Sequence, residues 1–189
     1  MHVPTHLMSG WCIGNLFRIS GRERLMCMVA ASMADLDGLS LLGGSDAYMN
    51  YHHKICHNTP FGIAACVLLS VLSGRRLGAF ILYLALFHLH LLMDFFGSGP
   101  GWGIFYFWPF SQWSADNWRY SWEFSSWQNT TTAAVFLIWT IAIAIVRGRT
   151  PLEVLMPNLD RQLVEWFRRR VGWKDRFEPK ITASQNCEP

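Results

Sequence analysis

Between Thr130 and Val146 the chain reads TTTAAVFLIWTIAIAIV, about 17 residues without a charge, and then closes on Arg147-Gly148-Arg149. At roughly 1.5 Å of rise per residue, a helix of that length sits at the lower limit for crossing a hydrocarbon core. Four more apolar stretches precede it: His6–Phe17, Leu25–Leu36, Phe61–Ser73 and Leu77–Phe96. Arginine-bearing breaks separate them, Arg18 to Arg24 and Arg75-Arg76. Five such stretches leave too little polar face for helices packed in water. Charged residues make up 15% of the chain, against about 25% in soluble domains. That shortage argues against disorder, a coiled coil or a charged tail. A net charge of +3 with dispersed arginines gives no nucleic-acid footprint. The expected fold is all-α: a membrane-embedded bundle of about five short helices, an aromatic-rich loop and a C-terminal amphipathic helix. No nucleic-acid partner is expected; membrane lipids are.

The few charges are sorted. If the five stretches run alternately down and up, one pole collects Arg18, Arg22, Arg24, Arg75, Arg76, Arg147 and Arg149. The other keeps only Lys54 and Arg119. The positive-inside rule turns the arginine pole to the cytoplasm. The same threading carries His6, Asp35, Asp37, His52, His53, His57, His88, His90 and Asp94 to the opposite, extracytoplasmic end. Ionisable residues at membrane depth cost several kcal/mol and mark function by default. The chain is thus expected to be a multi-pass inner-membrane protein.

Cys12, Cys27, Cys56, Cys66 and Cys187 show no zinc spacing and read as buried thiols without disulfides. The first residues, MHVPTHLMSGWCIGNLF, lack the basic n-region and cleavage site of a signal peptide and are expected to stay in the mature protein. From Trp102 to Trp127 the chain is dense in aromatics, Trp118 among them. They suit either a belt at headgroup depth or a lid over a site. Alternation of Tyr120, Trp122 and Phe124 suggests an extended piece. Residues 1–149 read as the membrane-embedded catalytic domain, and 150–189 as a cytoplasmic amphipathic helix over Pro151–Val171 with a polar, frayed tail.

All seven histidines fall within the first 90 residues. His90 and Asp94 are four apart and share one helix face, a workable pair of divalent-metal ligands. His57 pairs with His53 by the same spacing, or with His52 if the turn is irregular. His88 points elsewhere. Asp35 and Asp37 cannot share a helix face and need a helix end, which Gly38 supports. Imidazole and carboxylate donors together suit Zn²⁺, with Mn²⁺ or Fe²⁺ also compatible. Six or seven ligands exceed the three of one open catalytic zinc, which implies two ions bridged by a carboxylate.

The order of THL at 5–7, ADLD at 34–37, HHxxxHN at 52–58, HLLMD at 90–94, GSGPG at 97–101 and WPFS at 108–111 resembles the YdjM-like family of inner-membrane metal-dependent hydrolases. That family is in turn distantly similar to zinc-dependent phospholipase C and P1 nuclease. The resemblance spans about residues 1–130 and implies His6, Asp35, Asp37, His52, His57, His90 and Asp94 as metal ligands. Ala34 stands where the family has proline and Lys54 where it has glycine, so His53 stands beside His52 as the candidate in that loop. Asn58 is expected to hydrogen-bond a ligand from outside the site.

The implied chemistry is attack of a metal-activated water on a small-molecule or lipid phosphoester, with Asp35 or Asp37 orienting or deprotonating the water. The alternative class is a non-enzymatic membrane metal- or haem-binding protein, with His57 and His90 as axial ligands. The carboxylates speak against haem. A cation transporter would need polar residues along a path, and HExxH of the zinc proteases is absent.

Overall fold

In the computed structural model, residues 1–115 and 119–173 are described; Trp118, Cys187 and the polar tail beyond residue 173 lie outside them. Among the described residues the regular structure is helical. The order is α1 (Val3–Gly14), α2 (Gly21–Ser32), a 3₁₀ helix (Met33–Gly43), α3 (Ser45–Tyr51), α4 (Thr59–Val71), α5 (Arg76–Gly97), α6 (Trp127–Arg147) and α7 (Pro157–Arg170).

Local chemistry sets the ends. Ser20 and Glu23 form a capping box at α2: the Glu23 N–H donates to Ser20 Oγ (3.3 Å) and the Ser20 N–H to Glu23 Oε2 (2.8 Å). Asn58 Oδ1 accepts the Phe61 N–H (2.8 Å) at the start of α4. Gly148, at φ 65°, ends α6 in the left-handed conformation that needs no Cβ.

Three helical segments are long and apolar enough to cross a membrane: Gly21–Gly43, Arg76–Gly97 and Trp127–Arg147. The other two expected membrane stretches form shorter helices, 12 residues in α1 and 13 in α4. At about 1.5 Å per residue they reach roughly two-thirds of a 30 Å core. Many large apolar side chains point outward, among them Leu68 (70% exposed) and Ile138 (67%), as helices facing lipid require.

The helices alternate in direction. Arg24 at the start of α2 grips Glu153, beyond the end of α6, through Nε–Oε1 (2.7 Å) and Nη2–Oε2 (2.9 Å). Asn129 at the start of α6 donates to the Gly97 carbonyl at the end of α5 (2.7 Å). The arginine-rich turns therefore share one pole and the His/Asp segments the other.

Small residues let the helices close. A Cβ at Gly10 would come within 2.4 Å of the Cys27 carbonyl, so α1 lies directly on the α2 backbone. One at Gly62 would meet the Phe87 ring at 2.3 Å, which fixes α4 against α5. Cys12, Cys27, Cys56 and Cys66 are free, buried thiols.

Residues 121–123 form no regular element, and the Trp122 N–H donates to the Phe96 carbonyl at the end of α5 (2.8 Å). One expectation changes. The C-terminal helix begins at Pro157, not Pro151. Asp160 accepts from the Thr150 N–H (2.6 Å) and hydroxyl (2.7 Å), folding Pro151–Leu155 back as a turn, and Pro157 biases Met156 away from helix.

Candidate metal centre

At the His/Asp pole, four imidazoles from three parts of the chain close on one carboxylate. Asp94, on α5, lies one turn from His90 and is 1% exposed. Its Oδ1 is 3.0 Å from His6 Nε2, supplied by α1. Its Oδ2 is 3.1 Å from His57 Nε2, 3.2 Å from His90 Nε2 and 3.7 Å from His53 Nε2. The Met1 amine also donates to Asp94, and to Ser98 Oγ at 3.1 Å.

These donors fall into two groups that share Asp94: His6, Asp35, His90 and Asp94, and His53, His57 and Asp94. Within each group the donor atoms lie within 4.8 Å of one another, and the groups could hold a metal ion. The fit is chemical as well as spatial. Asp35 Oδ2 and His6 Nδ1 are buried without a hydrogen-bond partner. Such atoms carry a desolvation cost unless something else satisfies them, and for Asp35 a cation could do so.

The rings are aimed from behind. His90 Nδ1–H donates to the Ala31 carbonyl (2.7 Å), His53 Nδ1–H to the Trp102 carbonyl (3.3 Å) and His57 Nδ1–H to Asp37 Oδ2 (2.8 Å). A carbonyl can only accept, so in His90 and His53 the proton is fixed on Nδ1 and the Nε2 lone pair is left for a ligand. Burial, reinforced by the nearby His57, pushes His53 well below its ordinary pKa. Burial acts the same way on His57, but the carboxylates of Asp37 and Asp94 outweigh it and raise that imidazole to about 9.

The loop between α3 and α4 decides which histidine faces the centre. His53 has φ 63°, a positive value that among the described residues only glycines otherwise adopt. That kink stacks the His53 ring on His57 (4.3 Å between centroids) and leaves His52 outside both groups. His52 instead donates from Nδ1 to Asp37 Oδ1 (2.7 Å) and stacks on Tyr48 (4.5 Å). Asp37 likewise stands behind the rings, joining His52 and His57, while Asp35 two residues earlier lies 3.8 Å from His90 Nε2. The 3₁₀ helix, at three residues per turn, points the two carboxylates apart. Asn58 does not support a ligand: its amide ties the Lys54 (2.9 Å) and Ile55 (2.7 Å) carbonyls and its oxygen caps α4. His88 bonds Tyr106 and the Leu84 carbonyl, away from the cluster.

A cavity of about 220 Å³ opens onto the cluster, lined by Asp35, His52, His53 and Asp94 on its polar side and by Tyr48, Trp102 and Phe124 among its walls. Only part of the aromatic segment serves the site; Phe110 (85% exposed) and Trp127 (73%) face outward. His57 and His90 put their Nε2 atoms 3.2 Å apart, which leaves no room for a porphyrin between them. Tyr48, four residues before His52 on a helical register, was a legible partner that the sequence reading passed over. The Ala31 and Trp102 carbonyls carry no side-chain signal at all.

The chain matches the family described as YdjM inner membrane protein over residues 1–162. It belongs to that family. The matched span includes every residue of both donor groups and ends within α7. Neither the curated proteins nor the solved structures searched contain a match. The protein is an inner-membrane protein of the YdjM family with a buried His/Asp cluster that could bind metal.

Proposed function

We propose that the protein is a membrane-bound metal-dependent hydrolase that cleaves a phosphoester of a lipid or small molecule, with Zn²⁺ as its metal and two ions bridged by Asp94. The observation that carries this reading is the double membership of Asp94, one carboxylate oxygen toward His6 and the other toward His57 and His90. His6, Asp35 and His90 would hold one ion, His53 and His57 the other. When bound, such ions supply Lewis acidity toward phosphoryl oxygens and lower the pKa of water toward about 7.

The chain's own residues do the rest. Ala31, Trp102 and Asp37 hold the imidazoles in register through their Nδ1 protons. Asp35 lines the cavity, so beside the ion it would help to hold it is placed to orient water. Asp37 is engaged by two histidines and acts as a positioning residue. Tyr48, Trp102 and Phe124 wall the cavity and keep bulk water from the reacting centre. In the membrane the bundle crosses several times, with the metal centre at the extracytoplasmic face and the arginine pole in the cytoplasm.

The test is to purify the protein, count bound metal, and assay phosphodiester and phospholipid cleavage. His57→Ala should lose metal and turnover while remaining folded. Unchanged metal content would sink the site. Stoichiometric metal with no cleavage of any phosphoester would favour the non-catalytic metal-binding alternative.

A further inference from the structure

A cavity larger than the one at the His/Asp pole lies elsewhere among the described residues. It measures about 570 Å³ and lies at the arginine pole, between the α1–α2 turn, the α4–α5 turn and the first turns of α5. That volume is within the roughly 300–1,000 Å³ of sites that enclose small amphiphiles. Its walls are apolar: Phe17, Ile19, Ala79 and Leu82, with the ring of Tyr83. The Tyr83 hydroxyl is bonded to Ser73 Oγ (2.8 Å), so its polar end is already satisfied.

Two exposed arginines, Arg18 and Arg75, stand at the rim. Glu23 also lines the space; the Ser20 N–H (2.8 Å) and hydroxyl (2.9 Å) bind its Oε2, and its charge offsets one of the two arginines, so the mouth keeps a net positive charge. Gly74 and Gly78 also line the space, and a Cβ on either would touch nothing within 4 Å. Just outside, Leu77 (73% exposed) and Ile81 (59%) continue the apolar surface of α5 toward lipid.

From this geometry we infer that the cavity is a binding site for an anionic phospholipid of the leaflet at the arginine pole, its acyl chain between the α1–α2 turn and α5 and its phosphate against Arg18 and Arg75. An apolar chamber with a basic mouth, opening beside lipid-facing side chains at headgroup level, matches that one amphiphile in both halves. The bound lipid replaces side chains that Gly74 and Gly78 do not supply, and so fills the space between the α1–α2 turn and α5. The inference rests on membrane residence and is independent of the hydrolase reading.

Native mass spectrometry of the full chain in neutral detergent tests it, with phosphatidylglycerol, phosphatidylcholine of the same chains, and soluble glycerol phosphate as probes. One phosphatidylglycerol should bind in preference to phosphatidylcholine, and glycerol phosphate should not bind. Arg18→Gln/Arg75→Gln should lower phosphatidylglycerol affinity roughly 30-fold, taking each arginine at the usual strength of a cation near an anionic headgroup. Gly78→Leu, which meets no neighbouring atom on the backbone side, should remove both lipids while metal content stays at the wild-type level. Lipid binding undiminished in Gly78→Leu, or an unchanged phosphatidylglycerol preference in the arginine pair, overturns the site. Binding of glycerol phosphate as strong as that of the lipid overturns it as well, in favour of a soluble anion.

Discussion

The two poles of the bundle use ionisable residues in opposite ways. At the His/Asp end His6, His57, His90 and Asp94 are at most 1% exposed, and their polar atoms aim at one another across 3.0–3.2 Å. At the arginine end Arg18, Arg22, Arg75, Arg76 and Arg147 are exposed, and the cavity they flank is walled mainly by apolar side chains. Two charged residues are buried at that end among the described ones: Arg24, held by both oxygens of Glu153, and Asp160, held by Thr150. Burying ionisable groups is costly unless they pair or bind metal; at the first pole they pair with one another and could hold a metal ion. Exposed cations at a membrane boundary cost little and set orientation and lipid contact.

The sharpest way to break this contrast is Asp94→Ala, which removes the carboxylate common to both donor groups. Bound metal, measured by inductively coupled plasma mass spectrometry, should fall to background. If half the metal stayed, the centre would not be shared. Asp37→Asn leaves both groups intact but loosens the rings of His52 and His57. Metal affinity in a competitive chelator titration should drop about 10- to 100-fold, the usual effect of losing a partner behind a ligand.

The pH dependence comes next. His57 is raised to about 9, so a proton competes with metal for Nε2 at neutral pH. Affinity should therefore rise with pH, by up to about tenfold per unit below 9, and level off above it. A flat profile between pH 6.5 and 9 would mean that His57 does not ligate. At the other pole, Arg24→Gln leaves Glu153 half-served and should cost about 1–3 kcal/mol, read as a lower Tm, with metal per folded chain unchanged. The smallest effect belongs to His88→Gln: its ring meets Tyr106 and a backbone carbonyl, so metal content should not move.

What the sequence made legible was whatever helical spacing alone determines. His90 and Asp94 share a face because four residues on α5 complete about one turn, and the arginine clusters follow from the alternation of apolar runs. The choice between His52 and His53 was not legible, since it turns on a single backbone angle of 63°. The roles of Asp35 and Asp37 separate only once the 3₁₀ helix directs them to different rings. The closeness of α1 and α2 had a signal in Gly10 and Gly14, four apart on one face, but what they admit is the backbone of another helix.

Asp94 has a last consequence, and it concerns time. The chain is made from the N-terminus, so the imidazoles of His6, His53 and His57 are complete long before α5 emerges. Until then they have no common carboxylate to gather on. The full donor set is therefore assembled only once α1, the α3–α4 loop and α5 stand at the same end of the bundle, so an ion held there would report that these helices had come together.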